Sequence, residues 1–258
     1  MALCTQKNLW WSVVKPNPRA RVKLFCFPYA GGNASIFRSW HVALQECVEV
    51  HALQLPGRAN RILEKPFTYL SDLVPAIAHS MTPLLNKQFA FFGYSMGAIL
   101  SFEIAKWLRR HRRPLPQCLF VAARRAPQIP DTDPPNYQKN DEAFLASLAE
   151  HKGTPSEVLT NSELLTLLMP GLRADFELIE TYKYDADEPL PFAITAIGAT
   201  EDEETQDGRM DAWRVQTNRR FTMRILDGDH FFINSNEQEL LTVLRSELCG
   251  IPGRAEIT

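Results

Sequence analysis

Residues 88–108 read Gln88-Phe89-Ala90-Phe91-Phe92-Gly93-Tyr94-Ser95-Met96-Gly97-Ala98-Ile99-Leu100-Ser101-Phe102-Glu103-Ile104-Ala105-Lys106-Trp107-Leu108. The first part is a short, almost unbroken apolar run, the composition of a strand buried on both faces of a parallel sheet. The last part sets Leu100, Ile104, Trp107 and Leu108 at i, i+4, i+7 and i+8, one apolar face of a helix expected over Met96–Arg113. Between them stands Gly93-Tyr94-Ser95-Met96-Gly97, a G-x-S-x-G pattern. Five such residues are unspecific by themselves. Placed after a buried strand and before an amphipathic helix, they describe a sharp turn that exposes a hydroxyl, and Ser95 reads as a nucleophile.

Working outward, the same alternation recurs. Strands are expected near Val22–Phe27, Val48–Gln54, Phe89–Gly93, Leu119–Ala123, Phe192–Ile197 and Phe221–Leu226, with Leu9–Val14 as an extra edge strand. Helical patterns fall near Ala34–Glu46, Tyr69–Leu85, Met96–Arg113, Arg209–Asn218 and Glu237–Leu248. Strands alternating with helices predict an α/β fold, a mostly parallel sheet with helices on both faces. The alternation fails between Pro127 and Pro191, where two helical patterns, Asp141–His151 and Ser162–Tyr184, follow a proline-rich exit. So short a stretch makes a poor core of its own, so it reads as a helical insertion in one domain spanning residues 1–258.

Composition narrows the partners. The 258 residues carry a formal net charge of −2, which argues against a nucleic-acid binder. No run approaches the roughly 18 apolar residues of a membrane span. Five scattered cysteines, with Cys26, Cys47 and Cys118 inside apolar runs, read as free thiols in a reducing compartment. A cytoplasmic monomer that does not bind membranes is expected.

A serine nucleophile needs a base, and the base needs an orienting acid; on α/β sheets of this kind the order is Ser, Asp or Glu, then His. Of six histidines, only His230 follows a late strand in a loop. The acid belongs after Phe192–Ile197, where position alone leaves Glu201, Asp202 and Glu203 open. Backbone N–H groups for an oxyanion are expected from Met96 and from the glycine-bearing loop Phe27-Pro28-Tyr29-Ala30-Gly31-Gly32. Arg58, Arg61, Arg124 and Arg125 follow strand C-termini, the edge where ligands bind, and are candidate ligand contacts as well as candidates for internal ion pairs. The denser cluster Arg109-Arg110-His111-Arg112-Arg113 ends the helix after Ser95 and is expected on the opposite rim.

The segments FCFPYAGGNASIF, LQLPGRANR, FFGYSMGAILSFEIA, ARRAPQIP, LMPGLRADFELIETY and DGDHFFI run from residue 25 to residue 233. In them the chain resembles the type II thioesterases, stand-alone editing hydrolases of polyketide and nonribosomal peptide synthesis, with an α/β-hydrolase fold. The resemblance implies a triad of Ser95, Asp202 and His230, oxyanion-hole groups at Ala30 and Met96, and a helical lid over residues 127–191. It also implies acyl or peptidyl carrier protein domains as partners, with Arg58, Arg61, Arg124 and Arg125 as candidate contacts for the carrier or its phosphopantetheine phosphate, and no cofactor beyond the phosphopantetheine arm that carries the substrate. The chain departs from the resembled pattern at Tyr94, usually His, at Glu203, commonly Pro, and at Asp229, more usually Gly. A fatty acyl-carrier or acyl-CoA thioesterase and a general carboxylesterase share the same triad chemistry and are the alternatives.

Overall fold

Residues 8–150 and 161–252 are described by a computed structural model of the chain. Strand parity decides where its core sits. Seven strands form one sheet: β1 (Trp11–Ser12), β2 (Val22–Phe27), β3 (Val48–Leu53), β4 (Gln88–Tyr94), β5 (Cys118–Ala122), β6 (Ala193–Ala199) and β7 (Phe221–Leu226). Their order is β1-β3-β2-β4-β5-β6-β7; every pairing is parallel except that of the short edge strand β1 with β3. The central strand is β4, where Phe89 and Phe91 point to one face while Ala90, Phe92 and Tyr94 point to the other. Each face therefore carries its own apolar layer, which is why β4 reads as a continuous hydrophobic run.

Helices α2 (Leu70–Met81) and α3 (Met96–Arg110) cover the Phe89 face, with Ile77, Met81, Leu100 and Ile104 fully buried there. Helix α1 (Trp40–Ala43) and the C-terminal α7 (Glu237–Leu248) cover the other face through Trp40, Leu240 and Leu244. The stretch expected as an insertion holds α4 (Asp141–Glu150) and α5 (Ser162–Glu180). Leu178 and Ile179 of α5 join the core under α3, while Phe144 and Leu172 make a smaller cluster with their neighbours. A short helix, α6 (Phe232–Ser235), precedes α7.

Several boundaries moved for physical reasons. The helix expected over Ala34–Glu46 is a 3₁₀ turn (Ala34–Phe37) followed by the single turn of α1. Ser39 Oγ and Trp40 Nε1 both donate to Glu237 on α7, and Trp40 is buried completely, so tertiary contacts override helical propensity there. Arg209–Asn218 is likewise a 3₁₀ segment, Asp211–Gln216. The expected helix over Tyr69–Leu85 yields to a 3₁₀ turn at Thr82–Leu84, where Pro83 sits. His151, read as part of a helical pattern, lies outside the described residues.

The cysteine reading needs correction at Cys47. Its sulfur is joined to that of Cys249, tying the start of β3 to the end of α7, while Cys26 and Cys118 are buried free thiols. Two half-cystines 202 positions apart leave no spacing signature in a sequence. Among the described residues no helix is long and apolar enough to cross a membrane.

Candidate active site

The turn between β4 and α3 is built by what its glycines lack. A Cβ on Gly93 would overlap the Gly97 carbonyl and Ser101 Oγ, and one on Gly97 would overlap the carbonyl oxygen of Phe27. Without them, the first turn of α3 presses against both β4 and the end of β2. Ser95 sits at the apex with φ 51° and ψ −114°, a conformation that a non-glycine residue holds only when its surroundings enforce it. The enforcing bonds are Ser95 N–H to the Ala122 carbonyl at 2.8 Å and Ala98 N–H to the Ser95 carbonyl at 2.9 Å. The hydroxyl is thereby held at the carboxyl edge of the sheet.

His230 reaches it from the loop after β7. Its Nε2 is 3.2 Å from Ser95 Oγ, and its Nδ1 is 3.0 Å from Asp202 Oδ1. A carboxylate only accepts, so Nδ1 carries the proton and Nε2 is free to accept from the serine. Of the three acids that position left open, Glu201 and Glu203 are exposed, and only Asp202 turns inward, 3% exposed. Asp202 also accepts from Glu204 N–H at 3.1 Å, capping a 3₁₀ turn that fixes its orientation. The second acid beyond it, Glu204, meets Arg124 and Arg125. Burial opposes its charge, but the Arg125 hydrogen bond and the two guanidinium charges outweigh burial and hold its carboxyl at about 2.

On the other side of Ser95 lies the loop after β2. Neither the Ala30 nor the Met96 N–H enters a backbone hydrogen bond among the described residues outside helices and strands, and the first N–H groups of a helix lack intrahelical acceptors. Both remain candidate donors for an oxyanion. The loop itself is clamped by an ion pair. Arg58 forms a two-pronged salt bridge with Asp175 on α5, both bonds 2.7 Å, and also donates to the Gly32 carbonyl at 2.9 Å. Asp175 Oδ2 in turn accepts from Gly31 N–H at 2.7 Å. Both side chains are almost fully buried.

This changes the reading of the four arginines. Arg58 is committed to Asp175 and the loop carbonyl. Arg61 donates to Glu64 and the Gln54 carbonyl and stacks over Trp10. Arg125 pairs with Glu204, and Arg124 lies between Glu204 and Asp131. Each of the four guanidinium groups thus meets a carboxylate of the chain, the internal ion-pair reading of the two left open by the sequence. The rim cluster is tied elsewhere, Arg109 to Asp187 and Arg110 to Asp185 and Asp187.

Asp175 is the site residue that sequence reasoning missed. The signal was present: Leu172, Asp175 and Ile179 share one helical face, and a lone carboxylate on an apolar face must find a partner. Arg58, buried and cationic, was the complementary clue.

A model of the thioesterase domain family matches residues 22–248. Over 248 residues the chain is 40% identical to the gramicidin S biosynthesis protein GrsT of Aneurinibacillus migulanus, covering 96% of this chain and 97% of that one. Its structure is similar to that of RedJ, a thioesterase from the prodiginine biosynthetic pathway in Streptomyces coelicolor. The TM-score is 0.85 at 34% identity, over 90% of this chain and 92% of RedJ. It is also similar to BorB, the type II thioesterase from the borrelidin biosynthetic cluster, with TM-score 0.86 at 30% identity over 95% and 99% of the two chains.

Proposed function

Given that this chain belongs to the thioesterase family and is a thioester hydrolase, we propose that Ser95, His230 and Asp202 are its catalytic triad and that it clears acyl groups from carrier proteins. The observation that carries the triad is the unbroken contact chain Asp202–His230–Ser95, at 3.0 and 3.2 Å, on a strained turn at the sheet's carboxyl edge. The names of the similar proteins, from gramicidin S, prodiginine and borrelidin biosynthesis, favour a carrier-bound substrate in polyketide or nonribosomal peptide synthesis over a free ester.

The geometry maps onto acyl transfer step by step. His230 Nε2 takes the serine proton as Ser95 Oγ attacks the thioester carbonyl, and Asp202 stabilises the imidazolium that forms. The oxyanion is received by the N–H groups of Ala30 and Met96. The leaving phosphopantetheine thiol is far more acidic than an amine, so its expulsion needs little help from a general acid. The imidazolium gives its proton to the departing thiolate; water then attacks the acyl-serine with His230 again as base, and that proton passes to Ser95 Oγ as the free acid leaves. Side chains and backbone suffice for each step, and none of them calls on a metal or cofactor of the chain's own. Helices α4 and α5 act as a lid that excludes water from the acyl-enzyme. The enzyme works as a monomer beside the synthase that presents the carriers.

The test is a panel of the same acyl groups offered on carrier protein, on coenzyme A and as oxygen esters, with Ser95→Ala as control. Carrier-bound thioesters are expected to turn over with the highest kcat/KM, and the control to be silent. A preference for oxygen esters would reject the editing assignment.

A further inference from the structure

Tyr94 precedes the nucleophile and is completely buried. Strand parity sends its side chain, with those of Ala90 and Phe92, to the face covered by α6 and α7, away from α3. There the phenol meets the chain just beyond the catalytic loop. Its hydroxyl donates to the His230 carbonyl at 2.6 Å and accepts from Ile233 N–H at 3.2 Å. His230 and Ile233 stand at i and i+3, so the hydroxyl is interposed between two groups that a turn would otherwise join directly. Among the described residues, the backbone of His230 enters no other hydrogen bond outside helices and strands. The ring is wedged against Phe232 at 5.1 Å, Tyr29 at 6.0 Å and the His230 imidazole at 6.3 Å between centroids.

We propose that Tyr94 is a positioning residue for catalysis: its hydroxyl fixes the backbone of His230 relative to Ser95, and so sets the Nε2 to Oγ separation. The inference rests on the triad reading above. Ser95 and Tyr94 are covalent neighbours, so the nucleophile and the anchor of its base move as one piece. Without the hydroxyl, the loop that carries His230 keeps its aromatic packing but loses the bond that ties it to that piece. The Ser95–His230 contact, already 3.2 Å, has little room to lengthen before proton transfer suffers, since productive constellations tolerate displacements of only about 0.5 Å. Burial, reinforced by Asp202, Asp229 and Tyr29, pushes the phenol well above its ordinary pKa, so it remains a neutral donor wherever the enzyme is assayed.

The experiment is Tyr94→Phe, which keeps the ring and deletes the hydroxyl, with kcat normalised to the number of serines labelled at completion by a fluorophosphonate. Expected are a fall in kcat of about tenfold, a KM changed less than twofold and an acid limb of the pH profile that stays in place while the plateau drops. The second-order labelling rate should fall by the same factor. Tyr94→4-aminophenylalanine, whose N–H can still donate to the His230 carbonyl, should recover part of the loss and keeps the test open where the phenylalanine variant folds poorly. A wild-type kcat per labelled site, with only the melting temperature lowered, would make the hydroxyl structural and overturn the proposal. Turnover by Ser95→Ala would instead overturn the triad; a silent Ser95→Ala beside a fully active Tyr94→Phe would reject the tyrosine alone.

Discussion

At the scale of single residues, the loop after β6 shows how environment separates acids that composition cannot. Four consecutive residues, Glu201 to Glu204, carry carboxylates, yet two stay in solvent, one orients His230 and one binds arginines. Glu204 is the member whose charge matters to stability. Its folded pKa of about 2 lies below the ordinary 4.5. A depressed acid contributes stability that is present in full above its unfolded pKa and is lost as pH falls towards the folded one. Glu204→Gln is therefore expected to cost about 2–3 kcal/mol near neutrality, with the difference from wild type shrinking steadily below pH 4.5. Urea unfolding of both proteins across pH 3 to 7 measures this. A difference that does not change with pH would mean that the Arg125 contact acts through shape and not charge.

At the scale of elements, α5 does more than cover the sheet. Through Asp175 it holds Arg58, and through both it holds the Gly31 N–H and Gly32 carbonyl beside the proposed oxyanion site. Removing one partner leaves the other buried and charged, so Asp175→Leu or Arg58→Met alone should destabilise the fold by about 3–5 kcal/mol. Together the two substitutions should recover much of that stability, because an apolar pair of similar volume avoids the desolvation cost. Activity should not recover with it, since the loop has lost its polar clamp. Thermal melts and kcat on the two single variants and the double variant separate the effects; a double variant with wild-type kcat would show that the loop holds its shape unaided. The strands of this fold were legible because a parallel sheet buried on both faces must be apolar throughout, as in Phe89–Phe92. The ends of helices were not, because Trp40 and Glu237 settle theirs by contacts nearly 200 positions apart.

For the molecule as a whole, the site was more legible than its supports. Ser95 and His230 could be placed from local context because the chemistry demands a turn after one strand and a loop after another. Asp202 needed either the resemblance or the fold, since only burial distinguishes it from Glu201 and Glu203. Long-range pairs such as Arg58 with Asp175 and Cys47 with Cys249 have no local signature at all. The cystine makes the last whole-molecule prediction. It joins positions 202 apart, so by chain entropy it removes about 5 kcal/mol from the unfolded ensemble, of which about 2–4 kcal/mol is commonly realised. Cys47 lies at the amino end of β3, the edge opposite the Ser95 turn, and Cys249 follows the last turn of α7. Reduction, or Cys47→Ser, should therefore lower the melting temperature by roughly 5–12 °C and leave the initial rate at 25 °C within twofold of wild type. The bridge itself is checked by titrating thiols in unfolded, unreduced protein. Reduction is expected to release two thiols beyond those counted before it. No increase would mean that Cys47 and Cys249 are neighbours that do not bond, and the melting temperature should then be indifferent to reductant.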